Sequence, residues 1–178
     1  MKTLLDIVSA CPNASQDDLA SLRKALLQID REDTRKRGQR RLERIANKGH
    51  PFLAAIAQGG LASSAIWSAD LNAALYWARL TVTRYPVTPV ALWCATLLVF
   101  IYRMLGMKRE RFEAEGNRFR IMRRIALQSE HPNDRIFALH ELRKELEDRD
   151  LMIDAKRCDE ELKDLIWTVE KNPPQTPL

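Results

Sequence analysis

Twenty arginines, nine lysines and three histidines carry most of the chemistry this chain of 178 residues could offer. Arg135 and His140 stand five positions apart in Arg135-Ile136-Phe137-Ala138-Leu139-His140. On a helix that spacing is about one and a half turns, enough to set a cation and a general base near one scissile phosphate. However, every histidine follows an arginine at a similar distance, since Arg44 precedes His50 and Arg124 precedes His131. No glycine-rich phosphate loop, His-Glu-x-x-His pair, nucleophile elbow or apolar carboxylate cluster accompanies them. The acidic run Asp159-Glu160-Glu161 has Lys156, Arg157 and Lys163 beside it, so it reads as a paired, solvated face. The sequence therefore predicts a protein that is not an enzyme and that uses no cofactor, metal or small-molecule substrate.

The Arg-x4-His segment resembles the signature of the all-helical HEPN ribonucleases. It departs from that pattern at Ile136, where the family often places a polar residue, and this leaves Arg135 and His140 without the expected surroundings. Two arginine blocks offer more. Arg35, Lys36, Arg37, Arg40, Arg41 and Arg44 form one, and Arg120, Arg123 and Arg124 the other. In each, several side chains share a helical face, an arrangement that neutralises phosphates and makes affinity fall steeply with salt. No aromatic platform or helix-turn-helix spacing goes with them, so solvation, or pairing with the acidic C-terminal third, is the competing reading.

The elements that must position these residues are helices. Six glycines and eight prolines punctuate periodic apolar segments, apart from Gly38 and Gly116. Charge is partitioned: net +4 over 1–50, +1 over 51–102, +5 over 103–128 and −5 over 129–178. Lys2 to Ala10 can make two turns before Pro12. Ser15 can cap a helix with Leu19, Leu22, Leu26 and Ile29 on one face. Arg31 to Lys48 is a charged helix or a linker, stopped at Asn47-Lys48-Gly49. Residues 51–102 carry only Asp70, Arg79 and Arg84 as charges. There Pro51 opens a helix that Gly59-Gly60 should interrupt, Ser68 or Asp70 caps the next, and Thr88-Pro89 begins the most apolar one, ended by Gly106. A basic helix covers Lys108 to Gln128, another starts at Asn133 or Asp134, and the last carries Leu151, Ala155, Cys158, Leu162, Leu165 and Val169. The spacings of that last set, 4, 3, 4, 3 and 4, make a heptad seam that needs a second helix against it, internal or external. The tail from Asn172 to Leu178 should be disordered.

Cys11, Cys94 and Cys158 are odd in number and far apart, which indicates reduced thiols and a cytoplasmic setting. Val8-Ser9-Ala10-Cys11 has the form of a lipoprotein cleavage site, but only Thr3 to Val8 could be its apolar core and Asp6 interrupts them. Tyr85 to Tyr102 are 18 residues without a charge, and an inner-membrane-associated helical hairpin is the alternative they raise. Ala62, Asp70, Ala74 and Pro86 fall where a tetratricopeptide unit places its small residues and closing proline, so residues 53–86 resemble one such unit. The resemblance implies antiparallel helix pairs in the centre.

The expectation is an all-α, irregular bundle of five to seven helices: N-terminal helices with a basic segment (1–50), a helical core domain ending in the heptad helix (51–171) and the tail (172–178). Its expected role is a protein-interaction module, as adaptor, chaperone-like or regulatory subunit, binding a partner or itself through an apolar groove or the seam. The alternatives are a nucleic-acid-binding regulator using the two arginine blocks, and the membrane hairpin.

Overall fold

A computed structural model describes residues 4, 7, 14–47 and 50–171. The helix expected over Lys2–Ala10 lies outside them apart from Leu4 and Ile7, as do Cys11, Lys48-Gly49 and the tail. The described residues form eight helices and no strand: α1 (Gln16–Ile29), α2 (Arg35–Asn47), α3 (Pro51–Trp67), α4 (Leu71–Arg84), α5 (Pro89–Met104), α6 (Lys108–Gln128), α7 (Pro132–Glu147) and α8 (Met152–Lys171). The chain is all-α, with eight helices among the described residues rather than five to seven. The charged stretch after Arg31 is largely helix rather than linker. The chain divides into two compact units, Met1–Arg118 and Phe119–Leu178.

Capping chemistry starts several helices where polar side chains stand ready. Ser15 Oγ accepts from the Asp18 N–H, Asp70 Oδ1 from that of Ala73, and Thr88 Oγ1 from that of Ala91. α7 starts instead at Pro132, one or two residues before the expected Asn133 or Asp134, because proline fixes φ for the first helical position. α3, α5 and α7 all end on a left-handed residue. The N–H groups of Asp70, Met107 and Leu151 reach back five residues to the carbonyls of Ala65, Tyr102 and Leu146. Gly106 supplies one of these conformations at φ +69°, but Ala69 (φ 57°) and Asp150 (φ 62°) supply the others against the preference of their side chains.

In the first unit α3 is the hub. It packs on α1, α2, α4 and α5, and Leu53 to Ala62 are buried without a break. Gly59-Gly60 does not interrupt this helix, contrary to the sequence reading, because tertiary contact uses the space that the missing side chains leave. A Cβ at Gly59 would come within 2.9 Å of Val90 on α5, and one at Gly60 within 2.7 Å of Leu26 on α1 and 2.9 Å of Leu42 on α2. α3 and α4 are antiparallel, with Gln58 beside Thr81 at one end and Ala65 clustered with Ala74 at the other. Thr81 also contacts the Cys94 thiol of α5, so one buried polar group from each of three helices meets inside the apolar centre. Thr81 Oγ1 donates to the Trp77 carbonyl at 2.8 Å, which satisfies its own helix. The Arg79 guanidinium donates from Nε (2.9 Å) and Nη2 to the buried Tyr102 hydroxyl and tethers α4 to α5.

α5 has 16 residues, about 24 Å of helix, against roughly 30 Å of hydrocarbon. It starts only at Pro89, so four residues of the charge-free run lie before it. Among the described residues no helix is long and apolar enough to cross a membrane.

The second unit holds the α7–α8 pair. Arg143 reaches across to Asp159 at 3.3 Å, and Lys163 completes the cluster at 2.7 Å from the same carboxylate. These contacts hold the Asp159 carboxyl below its ordinary value, first through the Lys163 hydrogen bond, and raise Lys163 in turn. Arg135 Nε donates to the Ala126 carbonyl at 3.0 Å, giving an acceptor near the end of α6 a partner from α7.

Candidate functional site

α2 exists as a helix because its inner face carries Gly38, Leu42 and Ala46, all buried. The glycine is required there: a Cβ would meet the Ala25 carbonyl oxygen at 2.9 Å, so α1 and α2 pack almost backbone to backbone. Thr34 Oγ1 and Arg35 Nε close the far end by donating to the carbonyls of Gln28 and Ile29. With the inner face fixed, Lys36, Arg37, Arg40 and Arg44 are left in solvent, with Arg41 half-buried at their edge. Arg41 Nη1 donates to Gln28 Oε1 at 3.1 Å, and Arg44 Nε to the Arg40 carbonyl at 3.3 Å.

Among the described residues none of these six cations is in an ion pair. Several arginines elsewhere are matched: Arg109 with Glu113, Arg111 with Glu115, Arg149 with Glu145, and Arg143 with Glu147 and Asp159. Like charges three or four residues apart on a helix destabilise it by a few tenths of a kcal/mol per pair. α2 thus keeps a repulsion that an anionic partner would relieve.

Beside this face lies a groove of about 950 Å³, between α1 and α2 and ending at the start of α3. Lys24 and Ser21 line it from α1, Arg41, Arg44 and Ile45 from α2, and His50 and Leu53 from the α3 end, with Asp18 as its carboxylate. His50 is the N-cap of α3 but makes no side-chain cap, and its Nδ1 is closed off from solvent with no hydrogen-bond partner among the described residues. Lys24, Ser21 and His50 escaped the sequence reading. They could have been found by pairing α1 antiparallel with α2, because Gln28 against Arg41 brings Lys24 opposite Ile45.

The second arginine block belongs to the second unit. Arg120 has partners of its own, Arg124 is exposed, and Arg123 lines a different groove of about 410 Å³. Leu139, Leu142, Leu146 and Cys158 are among the buried residues lining that groove, while Leu127 is 68% exposed beside them. Of the heptad seam, Ala155, Cys158 and Leu162 are buried on a helix that packs against α7, Leu165 and Val169 are half-buried and Leu151 is exposed. α8 thus has an internal partner helix, and the large apolar residues it leaves in solvent include Met152, Ile153, Ile166 and Trp167.

The two described thiols, Cys94 and Cys158, are both buried. Burial pushes Cys94 up to about 12, against a small opposing effect of Thr81. Cys158 is also raised, chiefly by burial and then by Glu161 and Asp154. His140 is exposed, and Arg135 Nε donates to the Ala126 carbonyl. Among the described residues no group of three or more metal-ligating side chains gathers. No family model, curated protein or solved structure matches the chain.

Proposed function

We propose that this protein is a non-catalytic helical interaction module, an adaptor or regulatory subunit, that binds a polyanionic partner through the basic face of α2. The observation that carries the reading is a contrast. Six cations on one short helix lack carboxylate partners among the described residues, while Arg109 and Arg111 on α6, Arg143 on α7 and Arg157 on α8 are each matched with an acid three or four positions away. Arginine suits the task because its planar fork binds phosphate or carboxylate oxygens two at a time. The buried glycine seam fixes α2 in place, so the face is ordered before any partner arrives. Retention on immobilised heparin tests this. Replacing Arg37 and Arg40 together by Glu should release the protein at markedly lower salt than replacing Arg109 and Arg157 by Glu, which changes net charge equally. Identical elution of the two variants sinks the reading.

The groove in the second unit favours a second reading, with a protein partner as ligand. Its leucine lining, helical walls and mixed rim of Arg123, Arg157, Asp154 and Glu161 suit the apolar face of an amphipathic helix. On this reading Leu127→Glu abolishes binding of a generic Leu/Lys amphipathic peptide and leaves heparin affinity intact. The close α3–α4 pair, with Ala62 and Ala74 fully buried, supports a tetratricopeptide-like packing as part of the same proposal.

A further inference from the structure

The geometry points to a single strand of nucleic acid as the ligand of the α1–α2 groove, with one nucleotide seated in it and its neighbours running along α2. This rests on the polyanion reading of α2 and names the partner. Three features of the groove go beyond charge alone. Lys24, Arg41 and Arg44 converge from two helices on one space, where Asp18 is the only lining carboxylate among the described residues. α3 begins there with Pro51 and no side-chain cap, and the first N–H groups of a helix have no intrahelical acceptor, so phosphate oxygens would meet backbone donors and the positive end of the helix dipole. Ile45 and Leu53 line the same space, an apolar surface beside the cations.

A peptide of Asp and Glu alone would use the cations but has no flat apolar body to lay on Ile45 and Leu53. A nucleotide has both parts. At about 950 Å³ the groove is far larger than one phosphate needs and lies within the range of small-molecule sites. Beyond it, Arg37 and Arg40 continue the positive track on successive turns, roughly 5–6 Å apart, so adjacent phosphates of one strand meet cations in order. A duplex cannot place a base in the groove without unpairing it, which favours a single strand. Among the described residues His50 brings the only aromatic ring to the groove and no Phe, Tyr or Trp lines it, so base identity should matter little.

Fluorescence anisotropy with a labelled single-stranded 12-mer tests the inference, using the intact chain at a series of salt concentrations. The expected result is binding that weakens steeply with salt, tighter for the single strand than for the same sequence as duplex. Lys24→Ala with Arg44→Ala removes two exposed side chains and should weaken binding at least tenfold and flatten the logarithmic salt slope by about 1.4, at roughly 0.7 per lost phosphate contact. Arg109→Ala with Arg157→Ala should stay within twofold of the unaltered protein. Equal losses in the two double variants overturn the site, as does duplex binding tighter than single-strand binding. If the protein is retained on heparin in an α2-dependent way but ignores the oligonucleotide, or poly-glutamate displaces the oligonucleotide at lower concentration than unlabelled strand does, the nucleic-acid assignment fails and the polyanion reading stands. Heparin elution insensitive to α2 removes that reading itself.

Discussion

Single residues decide matters here that their types do not advertise. Ala69 and Asp150 end helices in a conformation that costs an L side chain roughly 1 kcal/mol or more, while Gly106 does the same work without strain. Ala69→Gly should therefore raise the free energy of unfolding by about 1 kcal/mol, less the entropy glycine returns to the unfolded chain. Chemical denaturation checks this, and a loss of stability would show that the alanine methyl makes a contact worth more than the strain. Cys94 makes the opposite point. Its position in a charge-free run was legible in the sequence, yet its inertness follows only from complete burial, which pushes the thiol up to about 12. Peptide mapping after iodoacetamide treatment at pH 8 should find Cys94 unlabelled in the folded protein and labelled in guanidinium.

At the scale of elements, two glycines inside helices behave oppositely because their neighbours differ. Gly116 has nothing within 4 Å of a would-be Cβ, so Gly116→Ala should stabilise the protein by somewhat under 1 kcal/mol through helix propensity. Gly38→Ala gains the same propensity but drives a methyl to 2.9 Å from the Ala25 carbonyl oxygen, a backbone atom that cannot turn aside. It should cost roughly 1–3 kcal/mol net and loosen the hairpin that presents the basic face. Thermal melts of the two variants should move in opposite directions. The helix starts at Ser15, Asp70 and Thr88 were legible because side-chain caps are local chemistry. The continuity of α3 through Gly59-Gly60 was not, since what sustains it is the side chains of Leu26, Leu42 and Val90 filling the glycine gaps from distant parts of the chain.

Over the whole molecule, charge separates by unit. Lys and Arg outnumber Asp and Glu 18 to 11 in residues 1–118 and fall short, 11 to 13, in 119–178. The second unit links its helices through Asp159, shared by Arg143 and Lys163. The folded pKa of Asp159 lies below the unfolded 3.8, so its contribution is present above that value and lost as pH falls through the lower folded one. Lys163 is raised above 10.5, so its contribution is complete below that value and lost as pH rises through the higher folded one. Rate-corrected hydrogen exchange should show α7 and α8 losing protection as pH falls below 3.8, with Asp159→Asn removing most of that dependence. An unchanged profile in the variant would assign acid sensitivity to other carboxylates.

By itself the sequence determined the all-helical class, the capped helix starts, the apolar middle and the two arginine blocks, because each depends on spacing and side-chain chemistry within a few residues. Tertiary structure decided which cations remain without partners, which face of α8 is spent on α7, and that Lys24 and His50 share a groove with Arg41 and Arg44. Those outcomes depend on residues far apart in sequence meeting across helices, as Gly60 does with Leu26 over 34 positions. Periodicity along one helix says which face is apolar but not which neighbour will cover it.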